Sequence, residues 1–236
     1  MITPIFTGIV DTYHGDGAFN LEAVRAGGVE AVFYKCSEGS TVMDSGYVQA
    51  MDRLKTLGFL RGTYHFARGT SDAVRQADLF ADDVQCFADT HGDDILPVLD
   101  LEGDPKSFLT MSTADAARFL ERARERLKRW PLLYMGASKG RTRMRNASPA
   151  ELDVFRQVEL WLAWYQRGDP TALPAFDPWP TWTLLQYTDG RVADSPRDTA
   201  RFPNRTPGFA REAQDRSCFR GTVEQLRAWW LSYGRK

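Results

Sequence analysis

DILPVLDLEGD, residues 94–104, joins an apolar run typical of a buried strand to two acids at its end. Because side chains alternate along a strand, Asp100 and Glu102 point to one face while Leu101 points to the other. We expect the α-carbons of the two acids to lie about 6 to 7 Å apart. Two negative charges at this spacing disfavour double ionisation, so the pair retains a proton near neutral pH. The segment therefore predicts a shared acidic site at the end of a buried strand.

Short apolar runs and helical patterns alternate on both sides of this segment in the first half of the chain. The expected strands are FTGIVD (6–11), EAVFYKC (30–36), LRGTYHFA (60–67), DILPVLDLE (94–102) and PLLYMG (131–136). Apolar residues at three- and four-residue spacing predict helices between them, within 20–28, 47–58, 71–92 and 112–130. This alternation indicates βα units around a parallel sheet, an α/β fold whose site lies at the carboxyl ends of the strands.

The pattern changes after Gly136. Three further strands are expected, at VELWLAWY (158–165), TWTLLQYT (181–188) and DRSCF (215–219). No long helix is expected before a terminal one at 222–234, and the basic stretch GRTRMRNAS (140–148) is interpreted as a loop. Because 236 residues can bury one sizeable core, we expect residues 1–236 to form a single domain.

Charge and cysteine content narrow the class of protein. Lys+Arg 30 against Asp+Glu 31 gives a formal net charge of -1, which argues against a nucleic-acid binder. The cysteines have no metal-ligand spacing, so buried thiols are expected at Cys36, Cys86 and Cys218 rather than disulfides. Residues 1–17 have neither a basic start nor a long apolar run, so neither a signal peptide nor membrane insertion is expected.

Seven segments in order resemble a known enzyme family. They are VFYKCSEGSTVMDSGY (32–47), LGFLRGTYHFA (57–67), LPVLDLEGD (96–104), PLLYMG (131–136), ELWLAWY (159–165), WTLLQYTDG (182–190) and DRSCFRGTVEQLRAW (215–229). The first contains a Lys-x-x-Glu-Gly turn, the second ends in Tyr-His-Phe, and the third is the acidic strand. Together they resemble the glycoside hydrolase family 25 lysozymes, which are N-acetylmuramidases.

The resemblance implies a single TIM-like barrel of eight strands with about five main helices, of the (β/α)5(β)3 type. It implies cleavage of the β-1,4 bond between N-acetylmuramic acid and N-acetylglucosamine in peptidoglycan. Glu102 would be the general acid, and Asp100 would assist the substrate's acetamido group or a water. Retention through the acetamido group and inversion through an activated water both remain open.

Asp11 would be a third catalytic acid, on the first strand. The family usually reads Gly-Ile-Asp, whereas this chain reads Gly8-Ile9-Val10-Asp11, with one residue inserted. An extra residue reverses the face on which a strand side chain lies, so Asp11 reaches the site only if the strand bulges. The alternative is that Asp11 merely starts a loop.

The family match also suggests substrate-binding residues on the third strand and after the second. Strand alternation lets only one of Tyr64 and His65 face the barrel interior. We favour Tyr64 inside, as a hydrogen-bond donor to substrate or to a carboxylate, and His65 as a packed residue. Glu38 could contact substrate or hold its own turn.

Further binding residues are expected where later strands end. Trp164, Tyr165 and Gln186 are assigned to one rim, where aromatic faces can stack on sugars and an amide can bind hydroxyl or acetamido groups. Trp161 and Trp182 are interpreted as core residues instead. Asp215 matches the acid before the family's last strand, although DRSCF (215–219) departs from the usual Asp-x-Asn.

Two other glycan-related functions fit the acidic strand. Family 18 chitinases also use an Asp-x-Glu ending, but they carry a further Asp where this chain has Val98. An inactive glycan-binding barrel would not require both Asp100 and Glu102.

A metal-dependent hydrolase is a third alternative. Its ligands would be acids and histidines at the barrel mouth, namely Asp11, His14, His65, Asp100 and Glu102. No HExxH or similar ligand spacing is present, so neither a metal nor a cofactor is expected.

The expected partner is a peptidoglycan strand, bound by a monomer that inserts in no membrane. Without a signal peptide, such an enzyme would be made in the cytoplasm and would act on the cell wall after holin-type release or delivery by a secretion system. A phage endolysin, a secreted toxin with an immunity protein, and a fragment of a larger protein all fit the sequence.

Overall fold

The computed structural model describes residues 4–91, 94–103, 110–172, 177–191, 193 and 195–233. Its strands are β1 (Phe6–Thr12), β2 (Ala31–Glu38), β3 (Val42–Met43), β4 (Leu60–Phe66), β5 (Leu96–Asp100), β6 (Leu132–Gly136), β7 (Leu160–Ala163), β8 (Leu184–Thr188) and β9 (Asp215–Phe219). Its α-helices are α1 (Leu21–Ala26), α2 (Tyr47–Thr56), α3 (Ala73–His91), α4 (Thr113–Leu127), α5 (Ala137–Asn146), α6 (Pro149–Phe155) and α7 (Val223–Ser232). A short 3-10 helix, His14–Asp16, follows β1.

Eight of these strands close into a mixed barrel, which confirms the predicted fold. Their order is β1, β9, β8, β7, β6, β5, β4 and β2, and β2 pairs with β1 to close the ring. The pairings of β9 with β8 and with β1 are antiparallel, and the other barrel pairings are parallel. The short β3 pairs only with β2, as a hairpin at the barrel mouth.

The connection from β6 to β7 differs from the sequence-based expectation because it is helical. The loop predicted at 140–148 is wrong, since α5 covers most of it and buries Ala137 and Met144 beneath its arginines. Ser148 then caps α6 in a capping box with Glu151, and Pro149 occupies the first turn. The Ser-Pro-x-Glu string is the local signal that predicts α6.

The barrel interior is apolar at its base and polar at its mouth. Ile9, Phe33, Leu132 and other inward residues form a cluster that α7 closes from below through Leu226 and Trp230. A methyl group at Gly62 would lie 2.0 Å from the Phe33 ring, so glycine leaves the space that this ring occupies.

A second apolar cluster lies between the strands and the surrounding helices. It contains the outward residues of the strands, among them Val10, Leu99, Leu101 and Leu185. Cys36 and Cys218 are buried as predicted, but Cys86 is exposed on α3, so its predicted burial is wrong. No described helix is long and apolar enough to cross a membrane.

Candidate active site

A cavity of about 430 Å³ opens at the barrel mouth, at the carboxyl ends of the parallel strands. It is lined by Asp11, Tyr13, Lys35, Glu38, Tyr64, Phe66, Arg68, Val98, Asp100, Glu102, Tyr134, Trp161, Gln186 and Asp215. Seven of the nine sequence-predicted site residues line it, all except Trp164 and Tyr165. Strand alternation points these acids into the barrel, and closure of the barrel brings together acids that are far apart in the sequence.

Asp100 ends β5 with its side chain in the cavity, and the intervening Leu101 packs in the outer cluster as the strand pattern predicts. Asp100 is 6% exposed, and its Oδ1 has no hydrogen-bond partner among the described residues. Burial, followed by the charges of Glu102 and Asp11, raises the pKa of Asp100 well above its usual range. This buried oxygen therefore lacks the hydrogen-bond partner that most buried polar atoms have.

Glu102 lies two residues beyond Asp100 and is solvent-accessible within the cavity. Desolvation by the surrounding protein raises the pKa of Glu102, and the charge of Lys139 opposes this effect. A carboxyl group with a raised pKa that remains accessible to a ligand is suited to donate a proton.

Asp11 reaches the cavity because β1 bulges. Phe6 pairs with Phe219 and Ile9 pairs with Ser217, so β1 has one more residue than β9 between these pairs. Both Phe6 and Ile9 consequently face the interior, and regular alternation from Ile9 brings Asp11 inside. The bulge is thus the condition that the sequence analysis set for Asp11 to reach the site.

The Asp11 carboxyl is held by an amide. Gln186 Nε2 donates to Asp11 Oδ2 at 2.9 Å. Burial raises the pKa of Asp11 to about 7, the Gln186 hydrogen bond opposes the rise, and the charges of Asp16 and Glu102 add to it. Gln186 Oε1 accepts from Tyr134 Oη at 2.8 Å and from Tyr165 Oη, which orients the amide nitrogen towards Asp11.

Asp215 faces Asp11 directly in the β1–β9 register. Burial and then the charges of Asp11 and Asp189 raise the pKa of Asp215 well above its usual range. Asp215 therefore lies in the cavity even though DRSCF (215–219) departs from the usual Asp-x-Asn sequence.

Trp164 does not line the cavity, so its predicted place at the rim is wrong. Trp161 and Ala163 face the barrel interior, which turns Trp164 outward to pack against the cluster under the helices. Tyr165 returns to the inner side and is 37% exposed. Trp161 is a core residue as predicted, and it also forms part of the cavity wall.

Tyr64 faces the cavity, as predicted, and His65 points away from it. The fully buried His65 lies 3.0 Å from Ser37 Oγ through Nδ1 and 3.1 Å from Gln76 Oε1 through Nε2. Burial lowers the pKa of His65 to about 4, so this imidazole is neutral at pH 7. Its predicted role as a packed residue is confirmed.

The two histidines of the metal-site alternative do not join the acids in the cavity. His14 Nδ1 lies 2.6 Å from Asp44 Oδ2, while His65 lies outside the barrel wall. Among the residues with described side chains, no three His, Cys, Asp or Glu side chains form a group suited to a metal ion.

Glu38 has an electrostatic environment opposite to that of the other acids in the cavity. It accepts hydrogen bonds from Lys35 Nζ at 3.1 Å, from Arg68 Nε at 2.9 Å and from Arg68 Nη2. Burial alone would raise the pKa of Glu38, but these hydrogen bonds and the two positive charges lower it. Glu38 is therefore an anionic anchor for two cations that line the cavity.

The sequence profile of glycosyl hydrolases family 25 matches residues 10–195. The chain belongs to this family. The family 25 chain is also 28% identical over 201 residues to lysozyme M1 of Streptomyces globisporus. That alignment covers 81% of this chain but only 65% of the relative, so the chain spans less than two thirds of lysozyme M1.

Solved structures agree with this assignment. A bacterial lysozyme from Streptomyces coelicolor superposes with a TM-score of 0.72 at 25% identity, covering 93% of the family 25 chain and 94% of its own. A family 25 lysozyme from Aspergillus fumigatus superposes with a TM-score of 0.71 at 25% identity, covering 95% and 98% respectively.

Sequence reasoning missed several residues of the family 25 site. Tyr13, Lys35, Phe66 and Arg68 line the cavity, and Lys35 Nζ lies 4.6 Å from the centroid of the Tyr13 ring. The signals that could have identified two of them are the Lys-x-x-Glu spacing and the arginine that follows the third strand. Charged residues next to a strand end are good candidates for cavity walls in a barrel.

Proposed function

We propose that the protein is a peptidoglycan hydrolase that cleaves the β-1,4 bond between N-acetylmuramic acid and N-acetylglucosamine. The observation that carries this proposal is the pair Asp100 and Glu102, both with raised pKa, in the open cavity of a family 25 chain. The relatives described as lysozymes support the same substrate class.

Glu102 acts as the general acid in this proposal. Its raised pKa favours the protonated form of the carboxyl, and its accessibility allows contact with the oxygen of the scissile bond. Proton transfer to that oxygen would let the leaving sugar depart as an alcohol.

Asp100 acts beside it on the part of the sugar that reacts. Its side chain lines the cavity, so its carboxyl group can accept a hydrogen bond from the acetamido N–H of a bound N-acetyl sugar. A carboxylate in this position would orient the acetamido oxygen towards the anomeric carbon, or would activate a water that attacks the same carbon.

The remaining carboxyls adjust the charge of the site. Asp11 and Asp215 each raise the pKa of Asp100, and Asp11 raises that of Asp215, so the buried acids cannot all be ionised together. The cluster consequently holds protons at a pH at which isolated carboxyls have lost them.

Sugar rings would be held by aromatic residues at the rim. Tyr13 and Tyr165 are 38% and 37% exposed, and their ring faces can stack on pyranose rings. Tyr64 lies deeper in the cavity, where its hydroxyl can donate to the substrate or to a carboxylate.

Product analysis tests this proposal. Purified protein should digest peptidoglycan and release fragments with N-acetylmuramic acid at the reducing end, identified by reduction and mass spectrometry. N-acetylglucosamine at the reducing end would reject the muramidase assignment. Binding to peptidoglycan without any cleavage would indicate an inactive glycan-binding barrel.

A further inference from the structure

A buried arginine on the outer face of the barrel has no part in the chemistry proposed above. Arg216 is 3% exposed. Its guanidinium donates from Nε to Tyr187 Oη at 3.1 Å, from Nη1 to the Arg205 carbonyl at 2.8 Å and to Thr206 Oγ1 at 2.9 Å, and from Nη2 to the Thr7 carbonyl at 3.1 Å. A planar group with several fixed donors can satisfy such a set, whereas a lysine ammonium cannot reproduce its geometry.

The contact with Thr7 connects this arginine to the β1 bulge. Thr7 and Gly8 together lie opposite Cys218, and neither is paired with a β9 residue. The Gly8 carbonyl accepts from the Glu30 amide at 2.7 Å, and the Thr7 carbonyl accepts from Arg216. Both carbonyl groups of the bulge therefore have a donor, which lowers the cost of interrupting the ladder.

Gly8 shows how narrowly the bulge is constrained. A methyl group at this position would lie 2.2 Å from the Gly28 carbonyl oxygen and 2.5 Å from the Phe6 ring. The bulge therefore requires glycine for space and a donor for the preceding carbonyl, which Arg216 supplies.

We propose that Arg216 is a positioning residue that stabilises the β1 bulge and thereby holds Asp11 in the cavity. Counted from Phe6 without a bulge, alternation would turn Asp11 to the outer face of the barrel. The bulge moves it to the inner face, where Gln186 holds it. The placement of Asp11 stands on geometry, and only the activity readout below rests on the proposed function.

A purely structural role for Arg216 makes a different prediction. In that role the arginine would only connect β8, through Tyr187, and the loop that follows it, through Arg205 and Thr206. The contact with Thr7 would then have no effect on the position of Asp11. Tyr187→Phe is the matched control, because it removes an Arg216 acceptor and the donor to the Pro203 carbonyl but leaves the Thr7 contact.

The first experiment compares Arg216→Lys with Tyr187→Phe. NMR titration of the Asp11 carboxyl carbon should give a pKa of about 7 in the wild-type protein and in Tyr187→Phe. In Arg216→Lys this titration should be lost from that range, and kcat/KM on peptidoglycan should fall to the value of Asp11→Asn. A folded Arg216→Lys variant with unchanged Asp11 titration and unchanged kcat/KM would overturn the proposal.

Deletion of Thr7 provides a rescue that depends on register. The deletion leaves one residue opposite Cys218, so Asp11 faces the cavity on a regular strand and no longer needs Arg216. The deletion variant should retain the Asp11 titration, and adding Arg216→Lys to it should not abolish that titration. Equal loss in both backgrounds, or a failure of Arg216→Lys to fold in both, would overturn the proposal.

These outcomes are separable from the proposed function. If the wild-type protein does not cleave peptidoglycan, the proposed function fails, and the Asp11 titrations still decide the role of Arg216. If it cleaves peptidoglycan while the Arg216→Lys titration stays unchanged, only the positioning role fails.

Discussion

The cavity contains two groups of side chains whose carboxyls are in opposite electrostatic states. The acid group consists of Asp11, Asp100, Glu102 and Asp215, and the ion-pair group consists of Lys35, Glu38 and Arg68. Every carboxyl of the acid group has a raised pKa, whereas that of Glu38 is lowered.

The difference shows what decides the protonation state of a carboxyl in a confined site. Desolvation raises the pKa of carboxyls in both groups. Two cations that donate hydrogen bonds outweigh desolvation at Glu38. Asp11 faces other acids, and among the described residues its side-chain donor is the neutral Gln186 amide. Proton-holding groups and a fixed anion therefore share one cavity because their hydrogen-bond donors differ in charge.

The largest expected effect is on turnover, from Glu102→Gln. The substitution keeps the shape of the side chain but removes its transferable proton, so kcat should fall by about 10²–10⁴-fold. Circular dichroism and binding to intact peptidoglycan should remain as in the wild type. Near-normal turnover in a folded Glu102→Gln variant would remove Glu102 from the role of general acid.

Asp11→Asn should stabilise the protein in a pH-dependent way. The pKa of Asp11 is raised from 3.8 to about 7, so its favourable contribution is complete below pH 3.8 and is lost as the pH rises through about 7. Asparagine carries no charge to desolvate. The free energy of unfolding of the variant should therefore exceed that of the wild type by on the order of 2 kcal/mol at pH 8 and by little at pH 4. Urea unfolding at both values measures this, and a pH-independent difference would contradict it.

Glu38→Gln should show the opposite dependence on pH. Because the pKa of Glu38 is lowered from 4.5, its stabilising contribution is present above pH 4.5 and is lost as the pH falls through its folded-state value. The free energy of unfolding of the variant should be lower by about 1–2 kcal/mol at pH 7, because the hydrogen bonds from Lys35 and Arg68 weaken. The same urea titrations apply, and a loss that grows towards acid pH would be inconsistent with the ion-pair group as described.

The smallest expected effect concerns the amide that holds Asp11. Gln186→Leu removes the donor to Asp11 Oδ2, so the pKa of Asp11 should rise above about 7, by up to roughly one unit. Tyr165→Phe is the control, because Gln186 Oε1 keeps its bond from Tyr134 and the Asp11 contact should persist. NMR titration of Asp11 in both variants distinguishes them, and equal shifts would exclude this role of Gln186.

Features that depend on strand alternation were predictable from single segments. Asp100 and Glu102 share a face, and only one of Tyr64 and His65 turns inward, because a two-residue period puts neighbouring side chains on opposite faces. The resemblance to the family then selected Tyr64 as the inward residue. The prediction for Trp164 and Tyr165 did not follow this rule, because it placed two consecutive residues on one rim. In the structure only Tyr165 returns to the inner side.

Features that depend on distant partners were not predictable. Glu38 and Arg68 are separated by thirty positions, and the loop that carries Arg68 is held by Gln76, which accepts from the Arg68 amide at 2.9 Å. The helix α5 was missed because its arginines suggested a solvated loop while its buried face consists of small or unbranched residues such as Ala137 and Met144.

The amino-acid sequence by itself determined the barrel, its family and the pair of acids at the carboxyl end of β5, because these follow from local periodicity and from the order of short segments. Only the tertiary structure decided that Asp11 lies inside and that Glu38 is an ion-paired anchor. A bulge sets a register through contacts between strands, and a carboxyl acquires its pKa from burial and from neighbouring charges, so both depend on groups that folding brings together.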